Sequence, residues 1–206
     1  MEELWAAFEG ASTALRGGFE RSASGLPLGC TVAGVASGSV WLRPAVADDW
    51  PQIWPFFAQI VAQGHTYAYP DGLTLETARP LWMEPPPAHV VVAVGRDPHG
   101  VERVLGSVKM GPNRPGRGAH VATASFMVDP ASRGQGVGRV LGEYLLDWAR
   151  AAGYHGIQFN AVVETNVAAV ALWRSLGFEI IGTVPEAFDH PDHGLVGLHV
   201  MYHRLG

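Results

Sequence analysis

From residue 40 onward, apolar positions recur at strand spacing, then at helical spacing, and the alternation continues to the end of the chain. VWLRPA reads as a short strand ended by Pro44. In DDWPQIWPFFAQIVAQG, Ile53, Phe57, Ile60 and Val61 share a helical face, with Asp48 or Asp49 as cap, Pro51 in the first turn and Gly64 as stop. Pro55 is expected to distort the start of that helix. A second helical patch covers Thr74 to Glu84 and stops at Pro85, Pro86 and Pro87, read as a loop rather than a recognition ligand. HVVVAVG and VLGSVKM are strands joined through DPHG, a hairpin signal; PNRPGRG is a loop and HVATASFMV a third strand. Val137, Leu141, Tyr144, Leu145 and Trp148 share one face of a helix that Gly153 ends. GIQFNAVV is a strand, NVAAVALWRSLGF a helix stopped by Gly177, and FEIIGTV and LVGLHVMYH complete a sheet. The order is α/β: a strand, helices, a meander, then two strand–helix units.

Composition narrows the field. The chain has 206 residues, enough for one domain with a proper core, and 16% are charged, ordinary for a globular protein. A net charge of −5 without a long basic run argues against nucleic acid as partner. Cys30 is the single cysteine and cannot form an intramolecular disulfide, so a reducing cytoplasm is expected. The acidic start MEELWAAFEG is unlike a signal peptide, and no stretch approaches membrane-span length. Residues 1–40 are rich in Gly, Ser and Ala without a sustained period, and read as an extension with one short helix at Glu2 to Glu9. Residues 41–206 form the compact domain.

The stretch SFMVDPASRGQGVGR carries the chemistry. RGQGVGR lies between a strand and a helix, where free N–H groups and the helix dipole favour an anion. Gly134, Gly136 and Gly138 permit close approach, while Arg133 and Arg139 add positive charge. The stretch lacks the Gly-Lys-Ser/Thr ending of a Walker loop, and its late position in a meander is not that of a dinucleotide fold. A plain glycine-rich helix start is the alternative.

A second stretch, ETNVAAVALWRSLGFEIIG, changes that balance. Arg133-x-x-Gly136-x-Gly138, followed by Asn166 and LGF at 176–178, resembles the GCN5-related N-acetyltransferase (GNAT) superfamily. More narrowly, AQGHTYAYP, PNRPGRGAHVATASF and FNAVVETNVAAVALWRSLGF resemble the acetyltransferases that detoxify L-azetidine-2-carboxylate and related proline analogues. The resemblance implies a central, mostly antiparallel mixed sheet, splayed at the acetyl-CoA site and flanked by helices. It also implies transfer of an acetyl group by direct attack of an amine. The pyrophosphate would lie on Arg133, Gly134, Gln135, Gly136, Val137, Gly138 and Arg139. The pantetheine would pair with main-chain groups of Phe126, Met127 and Val128 and with Asn166. A backbone N–H of Met127 or Val128 would stabilise the anionic carbonyl oxygen.

The pattern also departs from the superfamily. Trp173 stands where many relatives carry a tyrosine acid, and packing explains it; a thiol with a pKa near ~8.5 leaves tolerably without one. Ala161 replaces a glutamate base found in some relatives. Glu164, His65 and His120 are candidates by residue type alone, and no base is assigned. The narrower likeness places the acceptor among Thr123, Phe126, Asn160, Ala161 and Tyr67, with Thr66 beside them at the mouth. Asn160 reads equally as a strand-end residue satisfying its own backbone. HPDH at 190–193, with His199 and His203 beyond, lacks a completing ligand, so no metal is expected. The leading reading is a small amino or imino acid substrate. Another primary amine (phosphinothricin-like, a polyamine or a protein N-terminus) and a non-catalytic acyl-CoA-binding module stay open. A homodimer is compatible with the chain, and neither membrane nor nucleic acid is an expected partner.

Overall fold

The computed structural model describes residues 31–32, 40–97 and 99–206. The helix read at Glu2 to Glu9 and Cys30 lie outside them. The strands are β1 (Thr31–Val32), β2 (Val40–Pro44), β3 (His89–Arg96), β4 (Glu102–Pro112), β5 (Val121–Val128), β6 (Gly156–Val163), β7 (Glu179–His190) and β8 (Gly194–Arg204). They form one sheet in the order β1-β2-β3-β4-β5-β6-β8-β7, antiparallel except where β5 meets β6. The helices are α1 (Trp50–Gln63), α2 (Leu75–Trp82), α3 (Val137–Ala151) and α4 (Val167–Ser175). Among the described residues, no helix is long and apolar enough to cross a membrane. Thr31–Val32 pairs with β2, so the sheet reaches into the segment read as an extension.

The core is divided by the sheet. On one face α1 and α2 bury Trp50, Ile53, Phe57 and Trp82 against Val92, Val94 and Met127. On the other α3 and α4 bury Val137, Leu141, Leu145 and Trp173 against Val91, Val108, Ile157 and Phe159. A large side chain fully buried in this way contributes about 1.5–3 kcal/mol, so both faces are firm walls around whatever lies between β5 and β6.

Local chemistry sets the helix ends. Asp49 precedes α1 but makes no side-chain cap. Its carboxylate instead accepts two 2.7 Å hydrogen bonds from Arg43 on β2 and one of 2.8 Å from the Val46 N–H. Burial alone would raise the Asp49 pKa, but the Arg43 and Val46 donors outweigh it and hold the carboxyl below its ordinary range. Thr74 caps α2 by accepting from the Thr77 N–H. Gly64 ends α1 at φ 65° and Gly177 follows α4 at φ 88°, backbone conformations that favour glycine.

The last hairpin is longer than its apolar pattern shows. β7 continues through VPEAFDH, where the ladder slips between Val184 and Phe188 and Glu186 takes φ 52°. Pro185 is tolerated because it lies in this irregular stretch of a strand at the sheet edge.

Candidate active site

β5 and β6 pair only at Val121–Gly156 and Ala122–Ile157, and beyond those residues the strands separate. Two backbone bonds fix what β5 presents to that gap. The Asn113 N–H donates to the Val121 carbonyl at 2.8 Å, and the Asp129 N–H to the Leu105 carbonyl at 2.9 Å. The β4–β5 register is unbroken between them, so Val121, Thr123, Ser125 and Met127 direct N–H and C=O at β4. Ala124, Phe126 and Val128 direct theirs at the gap. The Tyr67 hydroxyl donates to the Phe126 carbonyl at 2.6 Å, in keeping with that phase.

This corrects one expectation. Met127 was to share the oxyanion role, but its amide faces Ser107 across the β4 ladder and its side chain, 1% exposed, lies in the core. Of Phe126, Met127 and Val128, the first and third direct their N–H groups at the gap. A strand edge left open in this way suits an extended polyamide.

Side chains alternate across the same strand. Ala122, Ala124, Phe126 and Val128 pack on the α3/α4 face, whereas Met127 packs on the α1/α2 face. Thr123 shares the Met127 face by alternation, so the Thr123 side chain and the Phe126 ring, both named for the acceptor site, lie on opposite faces of the sheet. The Phe126 ring instead lies 4.6 Å from Trp173 and 5.9 Å from Phe159. Trp173, 7% exposed, is a core residue between them.

The α3/α4 face offers an anion cradle. Gly134 and Gly136 adopt φ 76° and 82°, with open space where a Cβ would stand. Gly136 is the N-cap of α3 and lends no side-chain bond. The N–H groups of Val137, Gly138 and Arg139 have no acceptor among the described residues, the first intrahelical bond being Val140 N–H to Gly136 O at 3.1 Å. Gly138 sits close under Leu172, where a Cβ would come within 3.3 Å. Arg133 is exposed, and Gln135 donates to the Ala131 carbonyl at 3.3 Å. Arg139 reaches the Ser175 hydroxyl at 2.8 Å and lies 3.7 Å from Glu143. Asn166 caps α4, its Oδ1 accepting from the Ala169 N–H at 3.2 Å. Its amide nitrogen has no partner among the described residues. The Thr165 hydroxyl beside it is buried and unpartnered. Open donors at a helix start, an open strand edge and a free amide are the groups a pyrophosphate and a pantetheine arm require, so these residues fit acetyl-CoA.

The α1/α2 face carries a different set. Tyr67 lies in the loop after α1, stacked on Tyr69 at 5.5 Å. Burial, with Tyr69 adding to it, lifts the Tyr67 phenol far above its ordinary range. Burial and nearby Glu84 push Tyr69 up to about 12. Neither hydroxyl is a base near neutral pH. Thr66 is half-buried next to Tyr67. Asn160 does not turn back on its own backbone: its amide nitrogen donates to Asn113 Oδ1 at 2.7 Å, and its Oδ1 accepts from Gln158 at 2.8 Å. Asn113 and Gln158 were not singled out from the sequence, since Asn113 sits in an unpatterned loop and Gln158 is one polar position of an alternating strand. Ala161 follows Asn160, exposed, in the irregular part of β6.

The base candidates are engaged elsewhere. Glu164 Oε1 accepts from the Gly197 N–H at 2.5 Å, joining β6 to β8. His120 lies against His155 at the start of β5, and His65 stacks on His190.

A family description, Acetyltransferase (GNAT) family, matches residues 49–178. The chain belongs to this family. A GCN5-related N-acetyltransferase from Kribbella flavida is 59% identical, with a TM-score of 0.75 over 81% of this chain and 98% of that one. The L-methionine sulfoximine/L-methionine sulfone acetyltransferase of Pseudomonas aeruginosa is 32% identical over 151 residues, 72% of this chain and 85% of the relative. The structure of yncA from Salmonella typhimurium with its cofactor acetyl-CoA is 25% identical in sequence at a TM-score of 0.65, over 81% of this chain and 94% of that one. Three other curated relatives are matched over 15%, 40% and 32% of their own length.

Proposed function

We propose that the chain is an acetyl-CoA-dependent N-acetyltransferase acting on the amine of a small amino or imino acid. The observation that carries this reading is the two-sided gap, with an open β5 edge between an anion cradle and a cluster of amide and hydroxyl groups. Acetyl-CoA, when bound, supplies an activated acyl carbonyl. The free N–H groups of Val137, Gly138 and Arg139 receive its pyrophosphate, with Arg133 nearby for charge. Phe126 and Val128 direct N–H groups at the gap. The pantetheine arm separates the pyrophosphate from the thioester, so Val128, nearer the cradle, pairs with that arm and Phe126, farther along, donates to the oxygen that gains charge in the transition state.

Tyr67 and the Phe126 carbonyl are two acceptors 2.6 Å apart. Together they can hold the hydrogens of an incoming amine and leave its lone pair directed along the gap. Asn160 and Asn113 offer amide groups for a carboxylate on the same molecule. With no assigned base, an amine that arrives deprotonated or passes its proton to water suffices. Trp173 gives no acid to the departing sulfur, and a thiolate of ordinary pKa needs none.

The likeness to a methionine sulfoximine acetyltransferase favours an α-amino acid analogue; the proline-analogue reading rests on sequence resemblance. Cytoplasmic residence and a detoxifying role belong to the same proposal. Purified protein mixed with acetyl-CoA and methionine sulfoximine, phosphinothricin, azetidine-2-carboxylate, proline, spermidine or a short peptide is followed by thiol release and product mass. Acetylation of one of the small acids is expected. Product from spermidine or the peptide alone would remove the acceptor assignment. Cofactor binding without any product would make the chain a binding module.

A further inference from the structure

The HPDH turn lacks a completing ligand in the sequence, and the fold brings one from 125 residues away. We propose that His65, His190 and Asp192, with His193 as a fourth donor, form a binding site for a divalent transition ion of the Zn²⁺ or Ni²⁺ type. His65 follows the left-handed cap Gly64 at the end of α1, and the other three belong to the β7–β8 turn. Pro191 seats that turn against α1, with two ring carbons 3.6 Å from where a Cβ on Gly64 would stand. One donor atom each from His65, His190 and Asp192 lies within 4.8 Å of the others. His65 Nε2 is 3.2 Å from Asp192 Oδ2. The His190 ring lies parallel to that of His65 at 4.9 Å, and the His193 ring is 4.7 Å from it.

His190 separates this group from an ordinary surface pair. It is only 6% exposed, with Phe188 edge-on against it at 6.3 Å. Its Nδ1 accepts from the Asp192 N–H at 3.1 Å, and its Nε2 has no hydrogen-bond partner among the described residues. A rigid imidazole with one unpartnered nitrogen, flanked by two more imidazoles and a carboxylate, is a donor set for a borderline ion. Calcium and magnesium favour oxygen donors instead.

Metal–ligand bonds of about 2.0–2.2 Å place tetrahedral donors roughly 3.3 Å apart. The half-exposed His65 and the exposed Asp192 and His193 must therefore close inward by about 1 Å or more around the fixed His190, with the His65 ring turning out of its parallel stack so that its lone pair meets that of His190. Ligation at His190 Nε2 shifts the ring proton to Nδ1 and gives up the bond from the Asp192 N–H. That loss weakens the site by about tenfold relative to one whose second ring nitrogen keeps its partner. His65 stands two residues before Tyr67, so the ion would clamp the loop carrying Tyr67 to the last hairpin.

The test titrates Zn²⁺ into the full chain, free of any affinity tag, by calorimetry without acetyl-CoA or amine. Co²⁺ absorption gives an independent readout of coordination. One saturable site is expected, with the visible Co²⁺ bands of a four-coordinate ion. His65→Ala and Asp192→Asn, both outside the core, should each weaken binding by about tenfold or more and remove those bands. Zn²⁺ should raise the Tm of the unsubstituted chain and not that of H65A. Absence of a saturable site, or affinity unchanged in both variants, would overturn the assignment.

Discussion

The two faces of the β5–β6 gap are built by different means. On the α3/α4 side the groups come from short consecutive stretches: Arg133 to Arg139 across the start of one helix, Asn166 at the start of the next. On the α1/α2 side they come from far apart, with Tyr67 from a loop after α1, Thr123 from β5, Asn113 from the loop after β4, and Asn160 and Gln158 from β6. A face made by one local turn is written in the chain as a motif. A face made by convergence is not. The first receives what every member of a family must bind, and the second can change with the amine.

The largest expected effect lies where the convergent face is anchored. Asp49→Ala leaves Arg43 and the Val46 N–H without their shared acceptor and should destabilise the fold by about 3 kcal/mol, read as a lower urea midpoint. The same carboxyl has its folded pKa held below the unfolded value near 3.8. Its contribution is complete above that value and is lost as pH falls through the folded pKa, so D49A should flatten the acid limb of the stability profile. An unchanged acid limb would place acid sensitivity elsewhere.

Gly136→Val comes next, because φ 82° and an approaching anion both exclude a branched side chain. Acetyl-CoA affinity should fall by about 100-fold, with the amine face untouched; retention of affinity would remove the cradle from the account. Tyr67→Phe acts on the other face. It should lower kcat/KM for the amine by about tenfold while the Kd of acetyl-CoA stays unchanged. A matching loss of cofactor affinity would mean that Tyr67 holds the strand edge rather than the amine. The smallest change is Asn113→Ala, which frees one partner of Asn160 and should raise the KM of a carboxylate-bearing amine by about two- to tenfold. An equal rise for an amine without a carboxylate would separate Asn113 from carboxylate recognition.

The same division explains what was legible in the sequence. Strand and helix periods gave every long element, and Gly64, Gly153 and Gly177 marked real helix ends. The opposition of Thr123 and Phe126 was readable too, since positions three apart on a strand face opposite ways. The phase of β5 was not: whether Met127 or Val128 directs its amide at the gap depends on the β4 residues it meets. Asn113 and the approach of His65 to HPDH depend on how distant loops meet, which no local pattern encodes. Glu164 has a residue type suited to a base, yet the fold uses its carboxylate to tie β6 to β8.

The central claim is that alternate residues of β5 face the gap, and residue-resolved amide hydrogen exchange with and without acetyl-CoA tests it most directly. Met127 should be protected in both states by its bond to β4. Phe126 and Val128 should exchange readily alone and slow by about tenfold or more when the cofactor pairs with them. Slowing at Met127 with no change at Phe126 and Val128 would contradict the account.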